Sequence, residues 1–357
     1  MKVIILAGGG GSRLFPLSRL SRPKQFLNLG SEKSLLAQTI ARFFPLIEPK
    51  DIVVVTNEVY YCQVKRELAL CNAHEANILL EPVSRNTASA IALAVKYCEE
   101  RLKANLDEVL FITPSDHIIT PVEEFRKIVQ SVHDSATKNE AIVTLGIKPN
   151  KPETGYGYIE SGEKKELGFQ VKSFKEKPSI EVAKKYLKYG NYFWNSGMFA
   201  FTIESIKQEF SYFQPKIFSI LKLTFDEMIQ EFYTMPNISF DYAILEKSSR
   251  VIMIPFTARW NDIGCLDAMY DVLDKDENGN ATKGECIPVE CKSTLMLGDN
   301  HLIAGINLED ILIVESNGVI VVAKKGESQK VKNLVEELKK RNHNEVYGTS
   351  NKKFVLK

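Results

Sequence analysis

The chain lacks an excess of charge of either sign. Its 46 lysines and arginines are matched by 45 aspartates and glutamates, a formal net charge of +1, so the balance marks no nucleic-acid or anionic-membrane surface. Long apolar runs are missing too: no stretch approaches the roughly 18 consecutive apolar residues of a membrane-spanning helix. The N-terminal apolar run stops at Ala7, too short for the core of a secretory signal. The six cysteines (Cys62, Cys71, Cys98, Cys265, Cys286, Cys291) form no C-x-x-C pair and the five histidines are scattered, so no zinc site is spelled out. No Ser-His-Asp or Cys-His nucleophile constellation is evident. What remains is the expectation of a cytoplasmic protein that binds neither nucleic acid nor membrane and works on small ligands.

What is present begins with a strand and a loop. The β-branched run Val3-Ile4-Ile5-Leu6-Ala7 breaks into Gly8-Gly9-Gly10-Gly11-Ser12-Arg13-Leu14, where backbone N–H groups can approach a ligand closely. Arg13 adds a planar fork for phosphate oxygens, and Lys24, in Pro23-Lys24-Gln25-Phe26, adds a compact cation. The expected occupant is a phosphate chain. No Gly-Lys-Ser/Thr closes the loop and no G-x-G-x-x-G register fits, which excludes a Walker A motif and a dinucleotide fingerprint. A flexible turn on a structural strand is the alternative.

Downstream, apolar spacing predicts helices at residues 34–44, 60–70, 86–102 and 122–136, alternating with strands at 52–56, 78–80, 109–113 and 141–147. Such alternation implies a Rossmann-like, doubly wound α/β fold with a mostly parallel sheet, whose ligands sit at the carboxyl ends of the strands. Residues 151–201 read as an inserted β region covering that edge. The expected catalytic domain is 1–273, followed by a polar linker at 274–280, a small β-rich unit with a terminal helix at 281–341 and a tail at 342–357. Asp116, in Pro114-Ser115-Asp116-His117, follows the strand at 109–113. A carboxylate beside a triphosphate needs a cation between them, which points to Mg²⁺; an Asp capping the next helix is the alternative.

The long form Leu6-Ala7-Gly8-Gly9-Gly10-Gly11-Ser12-Arg13-Leu14-Phe15-Pro16-Leu17-Ser18-Arg19, with Pro23-Lys24-Gln25-Phe26, resembles the signature of sugar-nucleotide pyrophosphorylases, specifically of mannose-1-phosphate guanylyltransferases. Ser12 and Phe15 stand where that family usually has Thr and Trp. The resemblance implies that Leu6, Ala7 and Gly8 to Ser12 bind nucleotide. It also implies that Arg13 and Lys24 are catalytic, Arg13 on the triphosphate and Lys24 at the α-phosphate. Trp260-Asn261-Asp262-Ile263-Gly264 is similar to the family's late metal motif, so Asp262 would complete the Mg²⁺ site with Asp116, although Cys265 and Leu266 replace the usual Ser and Trp. Phe174-Lys175-Glu176-Lys177-Pro178 matches the Glu-Lys-Pro motif, which assigns sugar hydroxyls to Glu176 and the sugar phosphate to Lys177. The sugar-pocket motifs at 154–159 and 194–199 contribute Gly155, Tyr156 and Asn195, with 240–247 as a supporting helix.

The implied reaction transfers GMP from GTP to α-D-mannose 1-phosphate, giving GDP-mannose and diphosphate, by direct in-line attack. A nucleotidyltransferase of other sugar or base specificity, and a catalytically silent GDP-mannose-binding regulatory subunit, are the alternatives. In this family the β-rich position holds a short β-helix that helps subunits associate, which implies a homodimer; the isomerase module of longer relatives is expected to be absent. Glu81-Pro82-Val83-Ser84-Arg85-Asn86-Thr87-Ala88 resembles the nucleotide-recognition segment, apart from Ser89 where Pro is usual. Guanine presents two adjacent donors that one carboxylate accepts together. Glu81 is therefore expected to read the base, with Asn86 and Thr87 beside ribose or base; a solvated strand end is the alternative for Glu81.

Overall fold

The computed structural model describes residues 1–9, 11–29 and 31–348, with only the backbone at Ser12. Gly10 of the glycine loop, the Ser12 side chain and residues 349–357 of the expected tail lie outside the described residues. The chain forms two compact units. One comprises Met1–Gly8, Thr39–Ser115 and Ile119–Trp260; the other comprises Gly9–Gln38, Asp116–Ile118 and the chain from Asn261 onward.

The first unit is built on a nine-stranded sheet. Its strands are β1 (Lys2–Leu6), β2 (Ile52–Asn57), β3 (Asn77–Glu81), β4 (Val109–Pro114), β5 (Ile142–Ile147), β6 (Tyr158–Lys165), β7 (Gly168–Lys175), β8 (Tyr192–Thr202) and β9 (Val251–Phe256), in the spatial order β3-β2-β1-β4-β8-β5-β9-β7-β6. Strands β1 to β4 pair in parallel, and their β-branched runs are buried on both faces, as helical cover on both sides requires. On one face Ile4, Val53, Val55, Leu110 and Ile112 share a core with Ala88, Ile91, Ala92 and Val95 of the helix Asn86–Glu100. On the other, Phe111 meets Phe43 edge to face at 5.5 Å, and Phe43 meets Phe125 of the helix Val122–Asn139 at 5.2 Å. The doubly wound α/β fold is thus as expected, with β1 to β4 as its parallel part.

The expected insertion is not a separate cover. Strands β6 and β7 extend the sheet, and β8 enters its middle between β4 and β5, antiparallel to both. The apolar stretch Met198–Thr202 at the end of β8 is buried throughout, so an interior position is the one that satisfies it. The helical stretch after β8 is three helices, Ile203–Phe213, Pro215–Leu221 and Phe225–Glu231. Pro215 opens the second, and Thr224 with Glu227 forms a reciprocal cap on the third.

In the second unit, β10 (Ala281–Lys283), β12 (Leu295–Leu297) and β14 (Ile311–Ser316) stack in parallel, and β15 (Val319–Lys324) closes that sheet antiparallel to β14. A second parallel pair joins β11 (Cys286–Val289) to β13 (Ile303–Ile306). Successive turns of chain stacked in parallel make a β-helix-like coil. Its core residues Leu295, Leu312, Val314 and Val321 are continuous with Leu14, Phe15, Leu27, Leu29, Ile263 and Leu266. The segment that carries the glycine loop therefore belongs spatially with the C-terminal β unit, a grouping that differs from a cut at 273. Residues 274–280 form an ordered turn: Asp276 Oδ1 accepts the N–H groups of Asn278 and Asn280 at 2.9 and 2.8 Å, and Asn280 is buried. Among the described residues no helix is long and apolar enough to cross a membrane.

Candidate functional site

At the carboxyl edge of the first unit, β1 runs out through Ala7, whose N–H donates to Val55 O at 2.8 Å, to Gly8, whose carbonyl accepts from Asn57 Nδ2 at 3.3 Å. Ser115, beyond β4, donates its N–H to Leu6 O at 3.1 Å, so the chain ahead of Asp116 leaves at the same edge. Glu81 closes β3 beside them. A Cβ on Gly8 would lie 3.0 Å from Glu81 Oε2, so the close approach of this backbone needs the missing side chain. Glu81 is 8% exposed, which rules out a solvated strand end. Among the described residues its carboxylate meets no hydrogen-bond or ion-pair partner, and burial pushes its pKa up to about 7.

Asn86 and Thr87 serve the local backbone as well as any ligand. Asn86 has φ 65°, and its Oδ1 accepts the Thr87 N–H at 2.9 Å. Thr87 Oγ1 accepts the Phe240 N–H at 2.8 Å, and Ser89 Oγ donates to Pro236 O at 2.8 Å. The start of this helix is stitched to residues 236–240, and the Thr87 hydroxyl keeps its proton and one lone pair beside that bond.

The second unit gathers four of the expected residues. Lys24 sits buried in a short helical turn, Lys24–Phe26. Its Nζ donates to Asp116 Oδ2 at 2.8 Å and to the main-chain oxygen of Asp262. Burial works against the Asp116 carboxylate, but the Lys24 ammonium and then His117, 3.8 Å away, hold its pKa below the ordinary value. Asp116 caps no helix, since Pro121 occupies that position before Val122–Asn139. Asp262 Oδ1 accepts the Gly264 N–H at 3.0 Å. Gly11, at φ 59°, passes so close to Lys24 that a Cβ there would lie 2.5 Å from the Lys24 Cβ. Arg13 is exposed, with Nη1 3.4 Å from Gln329 Oε1. No group of three His, Cys, Asp or Glu among the described residues could hold a metal alone. Two carboxylate-bearing loops joined by one ammonium nevertheless suit a divalent ion that takes its other ligands from phosphate and water.

A third cluster lies in the first unit. Lys177, at φ 46°, places Nζ 2.5 Å from Glu176 Oε1, and the Glu176 N–H donates to Glu246 Oε1 at 3.0 Å. Asn195 Nδ2 donates to Asp241 Oδ1 at 2.9 Å, and the Asn195 N–H to Gly157 O at 2.8 Å. Tyr156 packs edge-on between Trp194 and Trp260, centroids 5.1 and 5.2 Å away. Gly155 gives its N–H to Glu153 Oε1 at 3.0 Å, whereas a Cβ on Gly157 would lie 2.5 Å from Glu176 Oε2. Gly157 is thus the glycine that the Glu176 carboxylate requires. Asp241, read from the sequence only as part of a supporting helix, opens a short π-helical turn, Asp241–Leu245. Burial first and the Glu176 charge second push its pKa up to about 6. The signal for it was a lone Asp before an apolar run, indistinguishable from a helix start.

Residues 2–279 match the Nucleotidyl transferase family, and residues 284–338 match the MannoseP isomerase/GMP-like beta-helix domain. The chain is 36% identical over 367 residues to the mannose-1-phosphate guanylyltransferase of Salmonella montevideo, an alignment covering 96% of this chain and 76% of that one. It belongs to the mannose-1-phosphate guanylyltransferase family. The xanthan biosynthesis protein XanB of Xanthomonas campestris is 38% identical, over 94% of this chain and 73% of its own length. A solved structure from Thermus thermophilus, described as a mannose-1-phosphate geranyltransferase, superposes with a TM-score of 0.85 at 29% identity, over 95% of this chain and 99% of that one. Membership in the guanylyltransferase family makes the chain an enzyme, a nucleotidyltransferase of nucleotide-sugar biosynthesis.

The Glu81 environment predicts a pH signature. In the folded chain Glu81 keeps its proton up to about pH 7, against an ordinary value of 4.5. Between those values the folded state binds more protons, so this residue's contribution to stability is lost as pH rises through that window. Glu81→Gln should raise the melting temperature clearly at pH 8 and far less at pH 5. Equal increments at both pH values in thermal melts would show that Glu81 does not titrate as described.

Proposed function

We propose that the enzyme transfers GMP from GTP to α-D-mannose 1-phosphate by direct in-line attack, releasing diphosphate and GDP-mannose, in the cytoplasm. The observation that supports the base assignment is Glu81, a buried carboxylate without a donor among the described residues, set against the first glycine of the loop. Guanine N1–H and its N2 amino group supply the two donors that this carboxylate lacks, and adenine does not. Asn86 and the Thr87 proton would lie beside the ribose or base.

The attacking sugar phosphate has a second pKa of about 6, so it is already nucleophilic at neutral pH and needs no general base. Catalysis then rests on positioning and charge neutralisation. Arg13 and the amides from Gly8 to Ser12 hold the triphosphate. Lys24 turns from Asp116 toward the α-phosphate, and Asp116 and Asp262 would hold Mg²⁺. The ion, when bound, neutralises charge on the phosphate oxygens. Glu176 and Asn195 bind sugar hydroxyls, Asp241 fixes the Asn195 amide, Tyr156 walls the sugar, and Lys177 pairs with the incoming phosphate.

A homodimer through the C-terminal β unit is part of the same reading. Its support is the apolar face that β11 and β13 leave exposed, with Ile287 beside Ala304 and Val289 beside Ile306.

Four measurements test these assignments. Diphosphate release over a matrix of nucleoside triphosphates and sugar 1-phosphates should be fastest for GTP with mannose 1-phosphate, with ITP between GTP and ATP, and should stop on adding EDTA. Glu81→Gln should narrow the GTP preference without altering the choice of sugar; unchanged ratios would move base recognition off Glu81. Lys177→Ala should raise KM for mannose 1-phosphate by about ten- to a hundredfold, the worth of a charge-assisted contact, and leave KM for GTP nearly unchanged. The opposite pattern would reverse the two subsites. Finally, Ile287→Glu combined with Ile306→Glu should halve the mass seen by sedimentation velocity, whereas an unchanged mass would remove this face from any dimer.

A further inference from the structure

Arg19 is a buried arginine that reaches the far end of the sequence. Its Nη1 pairs with Glu345 Oε2 at 2.8 Å, and its Nη2 donates to Ser316 O at 2.8 Å and Asn317 O at 3.4 Å. Asn317 and Gly318, at φ 48° and 77°, form the tight turn between β14 and β15; positive φ at both positions favours an Asn-Gly pair. The arginine fork thus holds the rim of the β unit. Only a planar group with several fixed donors serves these three acceptors at once.

From Arg19 back to the glycine loop the chain is one closed piece. Ser18 Oγ donates to Gly11 O at 2.5 Å, Leu14 N–H donates to the same oxygen at 3.2 Å, and Leu17 N–H donates to Leu14 O at 2.8 Å. Leu14 and Phe15 are buried in one core with Val331, Val335 and Val346 of the C-terminal segment. Arg13 is the exposed tip of this piece, and its neighbour Gln329 lies just before the helix Val331–Lys340.

We infer that Arg19 is a positioning residue of the nucleotide subsite: by fastening residues 11–18 to the β14–β15 turn, it sets where Arg13 meets the triphosphate. The β unit is then part of the nucleotide-binding apparatus, a role separate from subunit association. The inference rests on the reading of Arg13 as a triphosphate ligand, and the experiment carries a control for that reading.

The full-length protein is compared with Arg19→Met, Arg19→Lys, Glu345→Gln and Arg13→Ala, measuring KM for GTP and for mannose 1-phosphate and amide exchange across residues 11–18. Arg19→Met should raise KM for GTP about tenfold, the scale of one lost charge-assisted contact, while KM for the sugar phosphate stays within about twofold. Amide exchange in residues 11–18 should quicken. Arg19→Lys should recover part of the loss, and Glu345→Gln should show a smaller effect of the same kind; these two variants decide the matter if Arg19→Met does not fold. Equal rises in both KM values, or none, with Arg13→Ala still weakening GTP, would overturn the inference. No effect of Arg13→Ala on GTP would instead bring down the triphosphate reading, and the inference with it.

Discussion

One buried ammonium joins three stretches of chain that are far apart in sequence. Lys24 Nζ bonds the carboxylate of Asp116 and the carbonyl of Asp262, and its side chain leaves room only for a glycine at position 11. Burying a charge pair costs desolvation energy that the mutual attraction often fails to repay, so such a pair is a poor device for stability alone. Its effect is positional: the ammonium holds the Asp116 carboxylate and the Asp262 main chain beside residue 24. The paired Asp116 keeps its charge, and a charged carboxylate is the form that binds a divalent ion.

The first unit shows the opposite electrostatic arrangement. Glu81 and Asp241 are acids whose pKa values are raised, to about 7 and about 6, with burial as the leading cause in both. Each costs folding stability at neutral pH, because the unfolded chain would leave the carboxylate in water. A raised pKa of this kind marks each acid as a candidate for a functional role. Gly8 exposes Glu81 to the end of β1, and Asn195 holds Asp241 by its amide.

The sequence made some of this legible and hid the rest for physical reasons. Parallel strands buried on both faces write themselves as continuous runs such as Ile52-Val53-Val54-Val55, so the alternation from Val3 to Ile147 is visible locally. The place of β8 is not, because pairing between Phe111 and Ala200 is a contact across the chain with no local trace. The same holds for the core that joins Leu14 and Phe15 to Leu312 and Val335; nothing near the glycine loop announces its partner. The close approach of Gly157 to Glu176 has no local trace either, since two glycines flanking one tyrosine look alike until the backbone turns. The strand Ala281–Lys283 was too short to register, and the polar run before it concealed a turn closed by Asp276.

The departures from the family's usual pattern have local physical answers. Cys265 stands where Ser is usual, at the cap position of the helix Leu266–Val272, and its side chain makes no cap bond there. A serine hydroxyl would accept a free N–H of the first turn far better than a thiol. The missing acceptor comes from the C-terminal segment: the buried Ser328 Oγ takes the Asp267 N–H at 3.0 Å, while the Asp267 carboxylate accepts the N–H groups of Gly326 and Ser328 at 2.7 and 3.2 Å. Ser328 thus ties the start of this helix to the C-terminal segment. Asp262 lies only a few residues before that helix, and Ser328 directly precedes Gln329, the neighbour of Arg13. Around this position the helix start and the C-terminal coil are thus tied by direct hydrogen bonds.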